Sequence, residues 1–244
     1  LQANSDFALA EQMLIQAIET KKKLFGSENP TYLSSFENLG VLYMTLGKYS
    51  KSKEILSSVY ATKSASPTID DGSKAYTLNN LGIINRAMGD FGTSEEYFLN
   101  SLNLYGNSLG KTHIYYANTS NELGLLYMKM GNTKAARVTL QSALATFETA
   151  YGKNHIDYVS ALENLASLNY MEGEVEASRQ QLEEALEIDK IILGIEHPLY
   201  SKTLHNLASI LEELEEYEEA SRLFEESLEI AEKNFGKEHP SYAN

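Results

Sequence analysis

Cysteine and tryptophan are absent from the 244 residues, prolines number only four, and no apolar run exceeds a few residues. Without cysteine there are no disulfides, thiolate metal sites or thiol nucleophiles, and the redox compartment leaves no mark. So few prolines leave room for long helices. The apolar runs fall far short of the ~20 residues that cross a bilayer, and residues 1–10 lack the basic start and apolar stretch of a signal peptide. No membrane partner is expected, and the cytoplasm is the expected location. Positive charge is also scarce: 20 basic against 34 acidic side chains give a net charge of −14. Most of the imbalance sits in residues 172–238, with 19 acidic and 6 basic side chains. Such a surface repels phosphate backbones, so nucleic acid is not expected as a partner. The chain does have 43% hydrophobic residues, enough for a continuous core.

That apolar matter is periodic. Leu39, Leu81, Leu123, Leu165 and Leu207 are each 42 residues apart, preceded by Asn38, Asn80, Glu122, Asn164 and Asn206. Further rows at the same period are Gly47, Gly89, Gly131, Gly173; Gly110, Gly152, Gly194, Gly236; His113, His155, His197, His239; and Tyr116, Tyr158, Tyr200, Tyr242. Within a unit the apolar positions follow helical spacing, as in Leu204, Leu207, Ala208, Leu211 and then Ala220, Leu223, Phe224, Ser227, Leu228. Each unit is therefore predicted as helix, short turn, longer helix, short turn. The Gly47 row marks the inner turn, where a residue without Cβ leaves the first helix in a left-handed conformation. Asn29-Pro30, His197-Pro198 and His239-Pro240 read as a polar N-cap followed by proline at the first helical position. The small-residue row Ala10, Ser52, Ser94, Ala136, Ser178, Ala220 faces the large row Leu14, Leu56, Phe98, Leu140, Leu182, Phe224, which is expected to be core.

The expected architecture is all-α, an α-solenoid of antiparallel helix pairs whose contacts run between neighbours. Residues 1–28 hold a lone second-type helix from Asp6 to Phe25. Full units follow at 29–70, 71–112, 113–154, 155–196 and 197–238, and 239–244 open a further one. Both ends cut through the repeat and Leu1 is not an initiator Met, so an excerpt of a longer protein is expected. Pro67 to Gly72 replace the usual junction, predicting an early helix end at Ser64 to Ser66 and a looser joint. Glu215 stands where the turn glycine is expected.

Leu39, Gly40, Tyr43, Gly47, Tyr49 and Ser52 have the spacing of the tetratricopeptide repeat, lengthened by about 8 residues. With Leu193-Gly194-Ile195-Glu196-His197-Pro198 between units and Asn206-Leu207-Ala208 in a first helix, the chain resembles the 42-residue repeats of kinesin light chains along essentially its whole length. The resemblance implies a right-handed superhelical solenoid, and a scaffold that binds a segment of another protein along the inner face of its first helices. The alternative it implies is a regulatory arm attached to a caspase-like protease or nucleotide-switch domain outside this segment.

Other motifs have plainer readings. Gly106 to Thr112 is one residue short of a phosphate loop and lacks the preceding strand. The histidine row would be spaced by roughly a helix diameter, ~10 Å, too far to share an ion. No cofactor, metal or catalytic residue is expected, because HExxH and Gly-x-Ser-x-Gly patterns are absent and the carboxylates fall in runs that read as solvated faces. Carried over from the family, the groove positions give Asn38, Asn80, Asn164 and Asn206, with Asn79, Asn121 and His205 from the row beside them, which also contains Glu37 and Glu163. Met44, Arg86, Met128, Lys129 and Tyr170 come from the next turn, and Lys202 supplies one of the few cations. Primary amides at a fixed interval suit an extended peptide, since each offers a donor and an acceptor. Methionine and tyrosine add adaptable apolar contact. The expected partner is a protein or peptide of neutral or basic character.

Overall fold

In the computed structural model residues 2–236 are described, and these form eleven helices with no strand among them. The chain divides into two compact units, Leu1–Glu122 and Leu123–Asn244. The first contains α1 (Gln2–Phe25), α2 (Pro30–Thr45), α3 (Tyr49–Ala65), α4 (Asp71–Ala87), α5 (Phe91–Ser108) and the start of α6 (Ile114–Lys129). The second continues with α7 (Thr133–Tyr151), α8 (Ile156–Met171), α9 (Val175–Ile192), α10 (Pro198–Glu213) and α11 (Tyr217–Phe235). Short first helices alternate with longer second ones, as the period predicts. The opening helix starts at Gln2, four residues before the expected Asp6. His239, Pro240, Tyr242 and the unit read at 239–244 lie outside the described residues.

Side chains set the helix starts. Asn29 Oδ1 accepts from the Thr31 N–H at 2.9 Å, and Pro30 occupies the first helical position. His113, His155 and His197 do the same through Nδ1, accepting from Tyr115, Asp157 and Leu199 at 3.1–3.2 Å. Each histidine thus satisfies an orphan donor of its own helix. At the divergent junction α3 ends at Ala65, in line with the early end expected. The joint is nevertheless held: Ile69 is buried with the α1/α2 core, and Asp70 Oδ1 caps α4 through the Ser73 N–H at 2.8 Å. An aspartate cap and one apolar anchor replace the missing histidine and glycine.

The inner turns all close by one geometry. The N–H just past the turn residue, three residues after the helix end, reaches back to a carbonyl, as in Lys48 to Tyr43 at 2.8 Å, Asn132 to Tyr127 at 2.8 Å and Glu216 to Leu211 at 2.9 Å. This requires positive φ at the residue between, met by Gly47, Gly89, Gly131 and Gly173 and, at φ 62°, by Glu215. A residue with a Cβ pays roughly 1–2 kcal/mol there. Glu215→Gly should therefore raise the stability of α10/α11 by about 1 kcal/mol, read as a higher unfolding midpoint; an unchanged or lower midpoint would show that the turn is not strained.

Small facing large fixes how closely each helix pair approaches. Leu56, Phe98, Leu140 and Leu182 are buried, and a Cβ on Gly82 would come within 2.6 Å of the Phe98 ring. Ser52 and Ser94 use that proximity to donate to the carbonyls of Gly40 and Gly82 at 2.5 and 2.7 Å. At Ser178, opposite Ala166, the hydroxyl has no partner. The rows weaken at the ends: Leu14 and Phe224 are only partly buried, and Leu228, expected among the apolar face, is 43% exposed. No described helix follows α11 to cover that face.

Candidate functional site

The first helices are α2, α4 and α6 and, in the second unit, α8 and α10. Their outer positions are not uniformly displayed. Asn38 is exposed on α2, whereas Asn80 on α4 is buried, with its Nδ2 lacking a partner, and Asn79 beside it is half-buried with an unpartnered Oδ1. Asn121 is buried on α6. Asn164 and Asn206 are half-buried on α8 and α10, and Asn206 Nδ2 lies 3.4 Å from Glu163 Oε1. The asparagines therefore do not form an evenly exposed ladder.

Several other candidates are engaged within the protein. Met44 packs against Leu56, Leu81 and Ile84, and Met128 against the core of Leu140, Leu165 and Leu168. Arg86 donates to the Glu122 carboxylate at 2.5 Å and to its carbonyl at 3.1 Å. His205 meets the edge of Phe224 with ring centroids 5.1 Å apart. Lys202 Nζ pairs with Glu163 Oε2 at 2.9 Å while its side chain stays 58% exposed. Lys129 is exposed at the end of α6. Tyr170 at 44% and Met171 at 53% exposure stand at the end of α8, and they are the large apolar groups most openly displayed on a first helix of the second unit.

Two buried polar networks occupy the row of Glu37 and Glu163, which the family resemblance places in the groove. In the first unit, Lys63 from α3 donates to Glu37 Oε2 at 2.7 Å, to Thr77 Oγ1 at 3.0 Å and to the Ser73 carbonyl at 3.1 Å. Thr77 donates to the other Glu37 oxygen. The side chains of Lys63 and Glu37 are 3% and 7% exposed, so this is a charge pair withdrawn from water in which each carboxylate oxygen has a donor. Three periods later the same positions carry Glu163, Asp189 and Thr203. Thr203 Oγ1 lies 3.0 Å from Glu163 Oε1, 2.8 Å from Asp189 Oδ2 and 3.2 Å from the Leu199 carbonyl. Burial, reinforced by the Glu163 charge, pushes the Asp189 carboxyl above the usual range, against the lowering effects of the Thr203 hydroxyl, Lys202 and His197. The signal for both networks was in the sequence: Lys63 and Asp189 share a row with Tyr105 and Phe147, which are core. A charge in a core row requires a buried partner.

A second pair of ties joins consecutive repeats. Lys53 donates to Asn85 Oδ1 at 2.6 Å, and two periods later Arg137 donates to Asn169 Oδ1 at 2.8 Å. Asn85 and Asn169 are buried, so these amides hold repeat to repeat.

Stacked helix pairs of fixed length, joined by capped turns and left-handed turn residues, define the class of α-solenoid repeat proteins. Comparison with known proteins makes the class specific. The tetratricopeptide-repeat model matches residues 73–149, 117–191, 157–233 and 199–244, and a second model of the same description matches 33–61. The chain belongs to the tetratricopeptide-repeat family. No curated protein matches its sequence significantly. Among solved structures it is similar to BtubC (BKLC) from P. vanneervenii, with a TM-score of 0.78 at 17% identity over 96% of this chain and 94% of that one. It is also similar to a kinesin-light-chain-like protein of nearly identical TPR-like repeats from Podosopora anserina, with a TM-score of 0.69 at 22% identity, covering 82% and 95%. A third is the Rap conjugation gene regulator of plasmid pLS20 in complex with the Phr* peptide, with a TM-score of 0.69 at 19% identity, covering 83% of this chain and 54% of the regulator. Among the described residues no helix is long and apolar enough to cross a membrane.

Proposed function

We propose that the chain is a protein-interaction scaffold without chemistry of its own, binding an extended segment of a partner along the first helices. The second unit offers the best-formed face. Exposed Tyr170 and Met171 lie on α8 with half-buried Asn164, and α10 carries Asn206 and His205. That combination of exposed aromatic and thioether groups with amides is the observation that carries the reading. A tyrosine and a methionine side by side give a partner adaptable apolar contact, and the amides can answer a peptide backbone whatever its side chains. Asn38 on α2 and Asn79 on α4 contribute the corresponding surface of the first unit. The pLS20 regulator, similar in fold, is a protein solved with a peptide bound.

The partner segment is neutral or basic. Residues 172–238 have a net charge of −13, and a field of that sign raises the encounter rate of cationic chains and disfavours acidic ones and nucleic acid. Peptides selected from a random library on the immobilised full chain test this. The selected peptides should bind Tyr170→Ser/Asn206→Ala at least about tenfold more weakly, with the fold checked by circular dichroism, and should weaken as salt is raised. Equal affinity for the double variant would overturn the assignment of the face, and salt-independent affinity the electrostatic part.

A further inference from the structure

We infer that the hollow between α8, α9 and α10 is a receptor for a primary ammonium group, taken from a lysine side chain of the partner segment. The inference deepens the binding role proposed above by naming the anchor. It starts from the internal copy of the same site. In the first unit the hollow lined by Leu33, Glu37, Lys63 and Ser73 contains an ammonium supplied by the chain itself. Lys63 Nζ is held there by a carboxylate, a threonine hydroxyl and a main-chain carbonyl.

Three periods on, all three acceptors recur as Glu163, Thr203 and the Leu199 carbonyl, but the lysine is replaced by Asp189. The hollow keeps a volume of about 110 Å³, lined by Val159, Glu163, Asp189, Leu199, Lys202 and Thr203 among others. That space exceeds the ~30 Å³ share of a water several-fold, enough for an ammonium and its adjoining methylenes. Asp189 is 1% exposed, lines this space, and its Oδ1 has no hydrogen-bond partner. A buried carboxylate oxygen without a donor is costly unless something supplies one.

Donors in the site are also fewer than its acceptors. Thr203 Oγ1 has one hydrogen for the three acceptors around it, Glu163, Asp189 and the Leu199 carbonyl, and none of it reaches Asp189 Oδ1. Lys202 neutralises Glu163 from the rim but makes no ion pair with Asp189. An incoming ammonium has three donors, matching Glu163, Thr203 and the unpartnered Asp189 oxygen. Ser160, Leu199 and Lys202 at the mouth are exposed, so a side chain has a route in.

The groups facing Asp189 set the pH dependence. Glu163 on α8 raises its proton affinity, while Thr203 and Lys202 on α10 and His197 at the α10 cap lower it. Burial is the largest influence and holds it above the ordinary carboxylate range. Because the guest competes with a proton, affinity should rise with pH through that elevated range and level off above it.

The test uses the full chain, labelled with ¹⁵N, and n-butylammonium as a stand-in for the lysine side chain, with Ac-Gly-Lys-Gly-NH2 as the peptide form. Both should shift the Asp189 and Thr203 amide signals saturably, with dissociation constants on the order of millimolar for so small a ligand. n-Butanol and the norleucine peptide should not. Asp189→Lys places the chain's own ammonium in the site as Lys63 does; it should raise the unfolding midpoint and abolish n-butylammonium binding. Asp189→Asn should keep the fold and weaken binding at least about tenfold. Binding that persists equally in the Asn variant, or saturable binding of n-butanol, would overturn the inference. So would displacement of n-butylammonium by millimolar K⁺ or Ca²⁺, which would make this a metal-ion site. If Gly-Gly-Gly-NH2, with only its N-terminal amine, binds as tightly as the lysine peptide, the ligand is a chain terminus and the lysine assignment is wrong. n-Butylammonium reads the hollow alone, whereas library peptides read the whole face, so either result can fail without the other.

Discussion

Lys63→Met should destabilise the first unit by about 3–5 kcal/mol, the usual consequence of removing one partner from a buried ion pair. The methionine fills most of the lysine's volume, so the loss comes from the stranded Glu37 carboxylate and not from a cavity. Only Thr77 would still donate to that carboxylate. Replacing both charges, Glu37→Leu with Lys63→Met, should recover most of the stability, because Thr77 can then donate to the Ser73 carbonyl, 3.2 Å away. The measurement is the denaturant midpoint of each variant, with hydrogen exchange in α2 and α4 localising the effect, since repeat arrays need not unfold in one step. A single variant as stable as the double one would mean that Glu37 is reached by water and that the pair is not the buried lock described here.

Phe98→Ala should cost a similar ~3–5 kcal/mol. Phe98 is fully buried against Gly82, whose missing Cβ is what admits the ring, so truncation leaves a gap lined by a residue with no side chain to fill it. The carbonyl-to-serine bond from Ser94 to Gly82 depends on the same close approach. Phe224, at the equivalent position three repeats later, is only half-buried, and Phe224→Ala should cost clearly less. Equal losses at the two positions, compared by unfolding midpoint, would show that burial is not what distinguishes them.

The fold was legible because the period is strict. Register, turn positions, histidine caps and the large-against-small rows all repeat at 42 residues, and each repetition has a backbone reason: a positive φ, an orphan N–H, or a close helix approach. Even the exception was readable, since Glu215 keeps the turn and takes on its strain. The ends were less so, because Phe224 and Leu228 follow the apolar pattern without a described neighbour to cover them.

The site was only partly legible, for a geometric reason. Positions two before each repeat leucine were read as facing a ligand, but Glu37, Asn121 and Glu163 are buried, with Glu37 and Glu163 bonded to threonines of the next first helix. The row of Met44 and Met128 leans on the core for the same reason: a first helix packed between neighbours has a narrow free face. Tyr170 has the same place in that row and on its helix, yet it is 44% exposed, so place in the repeat does not decide exposure. Period alone gives the rotation of a residue about its helix; whether a neighbour reaches it depends on side-chain size and charge in the adjoining repeat.

The central claim is that partners are gripped by first helices and not by second ones, and a photo-crosslinking map of a library-selected peptide on the full chain tests it most directly. A diazirine placed in the peptide should attach to the α8 and α10 face of the second unit, at Tyr170, Met171, His205 and Asn206. Attachment confined to Val138, Ile191 and Tyr217, the large side chains most exposed on α7, α9 and α11, would contradict the account.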